Sequence, residues 1–191
     1  MPRLQVIVAS TRPGRAGLPV ANWFIEHAES HGKFDVELVD LAKINLPFLD
    51  EPHHPSERKY TQQHTKDWSA TVDAADAFVI VTPEYNYSMN APLKNAIDYL
   101  YAEWRYKPVG FVSYGNTSAG LRAVQMIKQV VTTLNMVPIT DAVAIHYIGQ
   151  HLDDAGRFNG TEAMGAAAGV MLDELDRFAT MLAPLRSADA G

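Results

Sequence analysis

The alternation of strand-like and helix-like segments along the chain is the feature that most restricts its fold. Short, β-branched and almost wholly apolar runs predict strands at 4–9, 34–41, 77–82, 109–113 and within 137–148. Runs without a polar face are typical of strands buried on both sides of a sheet. We therefore expect parallel strands joined by right-handed crossovers, with helices on both faces.

Apolar residues at three- and four-residue spacing predict the helices between these strands. Their stripes lie at 20–27, 61–75, 92–104, 121–134 and 164–182. Asn159 and Thr161 are candidate caps for the last helix. The remaining segment 42–60 contains three prolines and is expected to be a loop.

Length and composition favour a single cytoplasmic domain and exclude several classes of site. The 191 residues suit a single domain, 1–191, with no linker to divide it. Because there is no cysteine, disulfides, thiolate zinc sites, cysteine-ligated iron–sulfur clusters and a cysteine nucleophile are excluded. The net charge of −6 disfavours nucleic acid as a partner. No apolar run reaches the ~20 residues that span a membrane, and no signal-like segment begins the chain.

The loop after the first strand, residues 10–17 (loop one), has the composition of a phosphate site. Ligands of doubly wound sheets bind beyond the carboxyl ends of the strands, where such loops lie. The groups suited to an anion are those of Ser10, Thr11, Arg12, Arg15 and Gly17. Hydroxyls, guanidinium groups and a closely approaching backbone beside a helix N-terminus fit a terminal phosphate monoester. The alternative is an ordinary turn whose two arginines are solvated.

Two common phosphate motifs do not occur. The chain contains no G-x-x-x-x-G-K-[ST], which disfavours a P-loop nucleotide triphosphatase, and no G-x-G-x-x-G after the first strand. Asp40 stands where a Rossmann dehydrogenase would bind a ribose hydroxyl. Without the glycine fingerprint, we expect Asp40 to be a strand-end or turn carboxylate.

Two further loops follow neighbouring strands and suit a flat ring. In residues 83–90 (loop two) the candidate groups are Pro83, Glu84, Tyr85 and Asn86. Tyr87 offers a second face for stacking, and Asn90 offers a second amide. In residues 113–120 (loop three) they are Ser113, Tyr114, Gly115 and Asn116. Tyrosine faces, amides and exposed backbone can bind a heterocycle and its polar edge. Together the three loops predict a mononucleotide pocket, with FMN as the leading candidate.

The same residues resemble the NADPH-dependent FMN reductase family. The resemblance rests on Ser10 to Arg15, on Thr82 to Asn86 with the Leu93-Lys94-Asn95 stretch beyond it, and on Ser113 to Gly115. It extends from the first strand to about residue 140. It implies a flavodoxin-like three-layer sandwich with a five-stranded parallel sheet in the order 2-1-3-4-5. It also implies bound FMN, NADPH or NADH as reductant, a flavin, quinone or similar small molecule as acceptor, and a homodimer or homotetramer.

Position by position, the resemblance assigns roles to the three loops. Ser10 and Arg12 would hold the phosphate, assisted by Arg15 and Gly17. Residues 83–86 would lie along the isoalloxazine ring, and residues 113–116 would close its other edge. Turnover would be ping-pong at one flavin face, with no catalytic protein residue. Glu84 is either a proton donor or a structural group beside the ring.

Other functions and sites stay open on sequence alone. The chain is either an FMN-dependent oxidoreductase, a flavodoxin-like electron carrier that does not oxidise NAD(P)H, or a scaffold that has lost flavin. Glu51, His53, His54 and His64 match no strong metal-ligand spacing, so we expect a surface loop or part of the substrate mouth, and no metal. The sequence does not identify the physiological acceptor, and it does not decide between NADPH and NADH.

Overall fold

A computed structural model, which describes residues 1–189, contains one twisted sheet of five parallel strands. The strands are β1 (Arg3–Val8), β2 (Asp35–Asp40), β3 (Ala77–Pro83), β4 (Pro108–Tyr114) and β5 (Val137–Ile145). Their order is β2-β1-β3-β4-β5, and each neighbouring pair is parallel. This confirms the predicted strands, the sheet order and the flavodoxin-like topology.

Helices cover both faces of the sheet, as the alternating pattern predicted. They are α1 (Gly17–His31), α2 (Leu41–Ile44), α3 (Gln63–Asp73), α4 (Ala91–Asp98), α5 (Leu121–Thr133) and α6 (Glu162–Asp189). Core side chains of α1 and α6 pack on one face, and those of α3, α4 and α5 pack on the other. Thr161 caps α6, because its Oγ1 accepts a hydrogen bond from the backbone N–H of Met164 at 3.2 Å. Within the described residues, no helix combines the length and apolarity needed to cross a membrane.

Helix α6 packs close to the sheet at a glycine in the middle of β4. A Cβ on Gly110 would lie 2.8 Å from the sulfur of Met171, which is too short for an undisturbed contact. Gly110 therefore allows Met171 and Leu175 to approach the strand directly. The β4–β5 register is also irregular between Val109 and Phe111.

Two predicted segments differ from the structure. The helix expected over 92–104 ends at Asp98, and only a short 3₁₀ turn, Ala102–Trp104, follows it. The indole N–H of Trp68 donates to the carbonyl of Ala96 at 2.8 Å, and that of Trp104 donates to the carbonyl of Ile97 at 3.1 Å. These bonds satisfy carbonyls at the helix end, so the chain can turn away without leaving them unpaired.

The segment 42–60, expected to be a loop, begins inside α2 and contains a 3₁₀ turn at Pro55–Glu57. Asp40 starts α2 as its N-cap, because its carboxylate accepts a hydrogen bond from the N–H of Ala42 at 3.0 Å. A single-turn helix has too few residues to show an apolar period, which explains why the sequence pattern missed it.

Candidate functional site

Loops one, two and three meet at the carboxyl edge of the sheet, because β1, β3 and β4 are adjacent and parallel. Thr82 and Ser113 are register partners where β3 and β4 end. The side-chain amide of Asn90 donates to the carbonyl of Ala9 at 2.5 Å and so ties loop two to the end of β1. The structure thus brings the three sequence-predicted segments together, and we call this region the three-loop edge.

Arg15 of loop one is engaged within the protein. Its guanidinium nitrogens lie 2.7 and 2.6 Å from the two carboxylate oxygens of Asp40, and one of them also donates to the carbonyl of Ser10 at 2.5 Å. Burial opposes the ionised form of Asp40, but the hydrogen bonds from Arg15 and Ala42 hold its pKa below the ordinary value. Asp40 is therefore a strand-end carboxylate that fixes loop one, and most of the Arg15 charge is compensated.

Arg12 remains available to a ligand. Its side chain is exposed and forms no ion pair with any residue that the structure describes. The first turn of α1 follows loop one directly and has no side-chain cap, so the backbone N–H groups of Gly17 and Leu18 have no capping side chain. Gly14 adopts a positive φ of 68° with no atom within 4 Å of where its Cβ would stand. Loop one thus presents the unpaired guanidinium of Arg12 and, at Gly14, open space near the start of α1, as far as the described residues show.

Ser10, Gly17 and Tyr114 form a buried contact beneath loop one. The Tyr114 hydroxyl donates to the Oγ of Ser10 at 3.1 Å. A Cβ on Gly17 would lie 2.4 Å from that Oγ and 2.7 Å from the tyrosine oxygen. Burial raises the pKa of Tyr114 to about 12, so the phenol stays protonated. Gly17 is required here by a close approach within the protein.

Loop two is a tight two-residue hairpin. Tyr85 and Ser88 exchange two backbone hydrogen bonds of 3.0 Å. Between them Asn86 and Tyr87 have positive φ angles of 49° and 71°, the conformation of a type I′ turn. A left-handed conformation costs a residue such as Tyr87 roughly 1–2 kcal/mol. Contacts elsewhere must therefore hold the turn in place.

Glu84 supplies those contacts by joining loop two to loop three and α5. Its carboxylate accepts hydrogen bonds from Ser118 Oγ at 2.8 Å and from Arg122 Nε at 2.5 Å. The Arg122 guanidinium carbon lies 3.6 Å from the ring centroid of Tyr87. Burial of the Glu84 side chain, which is 6% exposed, opposes ionisation. The bonds from Arg122 and Ser118 nevertheless hold the pKa of Glu84 below its ordinary value.

These contacts keep the Glu84 carboxylate paired within the protein. A carboxyl group with a lowered pKa is ionised near neutral pH, so it is a poor proton donor there. Arg122 was not singled out from the sequence, whereas Tyr87 was expected to offer a stacking face and here stacks on Arg122. Arg122 lies 38 residues after Glu84, and no local spacing marks such a pair.

Loop three turns back sharply on the end of β4. A Cβ on Gly120, whose φ is 81°, would lie 2.9 Å from the backbone nitrogen of Tyr114. Gly115 donates its N–H to the carbonyl of Ile145 at 3.2 Å, which anchors the loop to β5. Asn116 accepts backbone hydrogen bonds through its carbonyl and leaves its side chain exposed.

Two buried polar atoms at the three-loop edge have no partner among the described residues. They are the Oγ of Ser113 and the Oδ1 of Asn90. Buried polar groups are usually hydrogen-bonded, so each calls for an explanation. Asn90 is one of the two loop-two amides that the sequence suggested as partners for polar atoms at the edge of a ring.

The histidine-containing segment has contacts of its own. Glu51 accepts hydrogen bonds from the N–H groups of Thr61 and Gln62, at 2.8 and 2.9 Å. Burial opposes its ionisation, yet these bonds lower the pKa of Glu51 to about 2. His64 pairs with Asp50 at 2.9 Å. Across residues 1–189 the structure contains no group of three or more side chains placed to hold a metal ion.

Comparisons with known proteins agree with the predicted family and fold. The family model described as NADPH-dependent FMN reductase matches residues 2–150. An NAD(P)H-dependent FMN reductase of Schizosaccharomyces pombe is 43% identical over 137 residues, which cover 71% of this chain and 68% of that protein. An NAD(P)H-dependent FMN reductase of Saccharomyces cerevisiae is 35% identical over 145 residues, covering 70% and 75% respectively.

Among solved structures, the flavoenzyme NAD(P)H:(acceptor) oxidoreductase FerB of Paracoccus denitrificans superposes with a TM-score of 0.75. The two chains are 19% identical, and the alignment covers 95% of this chain and 98% of the other. At that identity the likeness supports the fold.

Proposed function

This chain belongs to the NADPH-dependent FMN reductase family, and on that premise we propose how its three loops hold FMN and serve the reaction. Its function is FMN-dependent NAD(P)H oxidoreduction. The observation that carries the residue assignment is the unpaired guanidinium of Arg12 beside the uncapped start of α1.

Loop one would hold the phosphate. Arg12 offers a charge-assisted hydrogen bond, Thr11 offers an exposed hydroxyl, and the first N–H groups of α1 offer donors along the helix dipole. Ser10, Gly17 and Arg15 would act mainly by shaping the loop, because their contacts lie within the protein. The donor set of this loop therefore fits a phosphate monoester.

Loops two and three would frame the ring. Residues 83–86 lead into the hairpin and present one tyrosine face, and residues 113–116 present backbone and amide groups from the neighbouring strand. The orphaned oxygens of Ser113 and Asn90 are candidate partners for polar atoms of the cofactor. The fit of FMN to this edge therefore rests on polar atoms that have no hydrogen-bond partner among the described residues.

Bound FMN would supply the redox chemistry, taking a hydride from NAD(P)H and passing two electrons to a small acceptor. The protein's contribution is positioning and electrostatics. Backbone N–H groups of loops two and three are the donors available to negative charge at this edge. Glu84 holds the hairpin and does not supply a proton, because its carboxylate is committed to Arg122 and Ser118.

Ping-pong turnover follows from the use of one opening. Reductant and acceptor would occupy the three-loop edge in turn. We further propose a cytoplasmic homodimer or homotetramer. Three large apolar side chains on the outer surface near loop two and α5, Tyr87, Leu121 and Met126, are each more than 40% exposed and support self-association.

The test is an absorption spectrum of the purified protein followed by anaerobic titration with NADPH and NADH. Rapid bleaching of the flavin band near 450 nm is expected with at least one nucleotide. A flavin spectrum that persists in both would instead support an electron carrier. Colourless protein that does not bind added FMN would reject both flavin functions and leave a scaffold. Steady-state rates, measured with NAD(P)H varied at several acceptor concentrations, then test the ping-pong order. Size-exclusion chromatography tests the oligomeric state.

A further inference from the structure

The buried hydrogen bond between Tyr114 and Ser10 joins the end of β4 to loop one. We propose that Tyr114 is a positioning residue for the cofactor phosphate, because it holds the Ser10 hydroxyl as a donor to that phosphate. This role rests on the function proposed above, since it requires that loop one binds FMN. Tyr114 itself would touch neither the phosphate nor the ring.

Tyr114 reaches loop one across the strand that separates them. In the sheet, β3 lies between β1 and β4. Val8 of β1 pairs with Val81 of β3, so two residues further on Ser10 comes level with Pro83. Pro83 in turn pairs with Tyr114. Strands separated by one neighbour are about 10 Å apart, so only a long side chain can join their ends.

The protein fixes Ser10 at two atoms. Its carbonyl accepts a hydrogen bond from Arg15 at 2.5 Å, and its Oγ accepts one from the Tyr114 hydroxyl at 3.1 Å. Ser10 is 0% exposed and Tyr114 is 5% exposed. Because both side chains are buried, the direction of the bond between them decides what Ser10 can offer a ligand.

That direction leaves one hydrogen without an acceptor. A serine hydroxyl has one hydrogen and two lone pairs. Since the Oγ of Ser10 accepts from Tyr114, the Ser10 hydrogen is not used in this bond, and no described residue accepts it. Ser10 is therefore a buried donor that lacks a partner, and an anionic acceptor would satisfy it.

The phenol keeps the hydrogen that it donates. Burial raises the pKa of Tyr114 to about 12, although the bond to Ser10 and the charges of Arg15 and Arg12 oppose part of this shift. Tyr114 is thus protonated throughout the neutral range. Ser10 accepts from it there and stays a donor toward loop one.

The free hydrogen lies beside the other donors of loop one. A Cβ on Gly17 would be 2.4 Å from the Ser10 Oγ, so this hydroxyl lies directly against the first residue of α1. The start of that helix has no side-chain cap. Arg12 is close enough for its charge to act on Tyr114. A hydroxyl, backbone N–H groups and a guanidinium group are thus grouped at the start of α1, as a phosphate monoester requires.

This role separates Tyr114 from the rest of loop three. The other groups of that loop would act on the ring, whereas Tyr114 would act on the phosphate, and only through Ser10. Its loss should therefore weaken the binding of FMN, which carries a phosphate, and spare riboflavin, which does not. A merely structural role would weaken both.

The test is fluorescence titration of FMN and of riboflavin into flavin-free protein, the two single variants and the double variant. We expect Ser10→Ala to weaken FMN binding about tenfold to a hundredfold, and Tyr114→Phe about threefold to tenfold. Neither should change riboflavin affinity by more than about twofold. In the Ser10→Ala background, Tyr114→Phe should have no further effect on FMN, because the hydroxyl that it holds is already gone.

Tyr60→Phe is the matched control, because the Tyr60 hydroxyl donates to Glu103 at 2.9 Å and both residues lie outside the three loops. This variant should lower stability and leave the ratio of FMN to riboflavin affinity unchanged. Urea unfolding of each flavin-free variant establishes that it is folded under the titration conditions.

Three results would overturn the role of Tyr114 while leaving FMN binding intact. They are additive losses in the double variant, equal weakening of FMN and riboflavin by Tyr114→Phe, and unchanged FMN affinity in that variant. Unaltered protein that binds neither flavin would instead reject the function proposed above, and this role with it.

Discussion

Arg15 and Asp40 form a two-pronged ion pair in which the guanidinium nitrogens lie 2.7 and 2.6 Å from the carboxylate oxygens. Their side chains are 14% and 2% exposed. Loop one contains two arginines that look alike in the sequence. The ion pair between Arg15 and Asp40 distinguishes their roles. One arginine fixes the loop to the end of β2, and Arg12 keeps its charge for a ligand.

Replacing Arg12 should weaken FMN binding. Arg12→Ala removes a charge-assisted hydrogen bond and should cost about 1.5–3 kcal/mol of binding free energy. Fluorescence titration of FMN into flavin-free protein measures this loss. Arg177→Ala removes an exposed arginine on α6 and should leave affinity unchanged. Equal affinity of Arg12→Ala and the unaltered protein would show that loop one does not bind the phosphate through Arg12.

Breaking the Arg15–Asp40 pair should reduce stability even without FMN. Asp40→Asn leaves the Arg15 charge largely buried without its counter-charge, and should lower the free energy of unfolding by about 3 kcal/mol. Urea unfolding of flavin-free protein measures this. A change below about 1 kcal/mol would mean that the pair adds little to the fold.

A methyl group on Gly17 should disturb the contact beneath loop one. Gly17→Ala places a Cβ against Ser10 Oγ and the Tyr114 hydroxyl, and should destabilise the protein by about 1–3 kcal/mol. Adding Tyr114→Phe should recover part of that loss, because the two sites share one space. Thermal unfolding of the single and double variants measures the coupling. Gly149→Ala, at an open position, should have little effect, and a similar loss there would argue against a steric cause.

The Glu84–Arg122 pair should govern how FMN binding responds to pH. The lowered pKa of Glu84 keeps its carboxylate ionised above pH 5, so its contribution is complete there and is lost only as pH falls further. Arg122→Met removes the main donor, and burial should then raise the pKa of Glu84. We expect FMN affinity of this variant to decline at a higher pH than in the unaltered protein, measured from pH 4 to 8. Superimposable pH profiles would show that Arg122 does not set the charge state of Glu84.

Lys107 should produce a stability change on the alkaline side. It is buried and donates to the carbonyls of Val72 and Asp73 at 2.8 and 3.0 Å. Burial lowers the pKa of Lys107 from 10.5 to about 8. Between these values the unfolded chain binds the proton and the folded chain has released it, so stability from this group rises with pH.

Comparison with Lys107→Met isolates the pH-dependent contribution of Lys107 to stability. The unfolding free energy of the unaltered protein minus that of the variant should increase by about 3 kcal/mol from pH 8 to 10.5. Urea unfolding at several pH values measures the difference, in which other titrating groups cancel. A difference that is constant with pH would mean that Lys107 keeps its ordinary pKa in the folded protein.

The sheet and the location of its ligand edge were predictable because they depend on periodic and local patterns. The run 77–82 is apolar at almost every position, and the structure places it at the centre of the sheet as β3. The order of the strands came from the family resemblance. Once β1, β3 and β4 are adjacent, the positions of loops one to three follow from chain direction alone.

The side-chain partnerships were not predictable, because they join residues far apart in the chain. Arg15 meets Asp40 25 residues later, and Glu84 meets Arg122 38 residues later. The turn at Asn86 and Tyr87 also lacks the usual signal, since its second left-handed position carries tyrosine where glycine is the common choice. The early end of α4 depends on an indole 28 residues away, Trp68.

The close packing of α6 on β4 has a consequence for how the chain is made. Met171, Leu172 and Leu175 complete one apolar face of the sheet, and they follow β5 by more than 25 residues. At ribosomal rates of about 5–20 residues per second, a nascent chain would spend about two to nine seconds with β5 synthesised and α6 incomplete. During that interval the part of the sheet face that α6 covers at Gly110 is exposed. The interval between the synthesis of β5 and that of α6 is therefore when the nascent chain is most exposed to aggregation and when chaperone binding matters most.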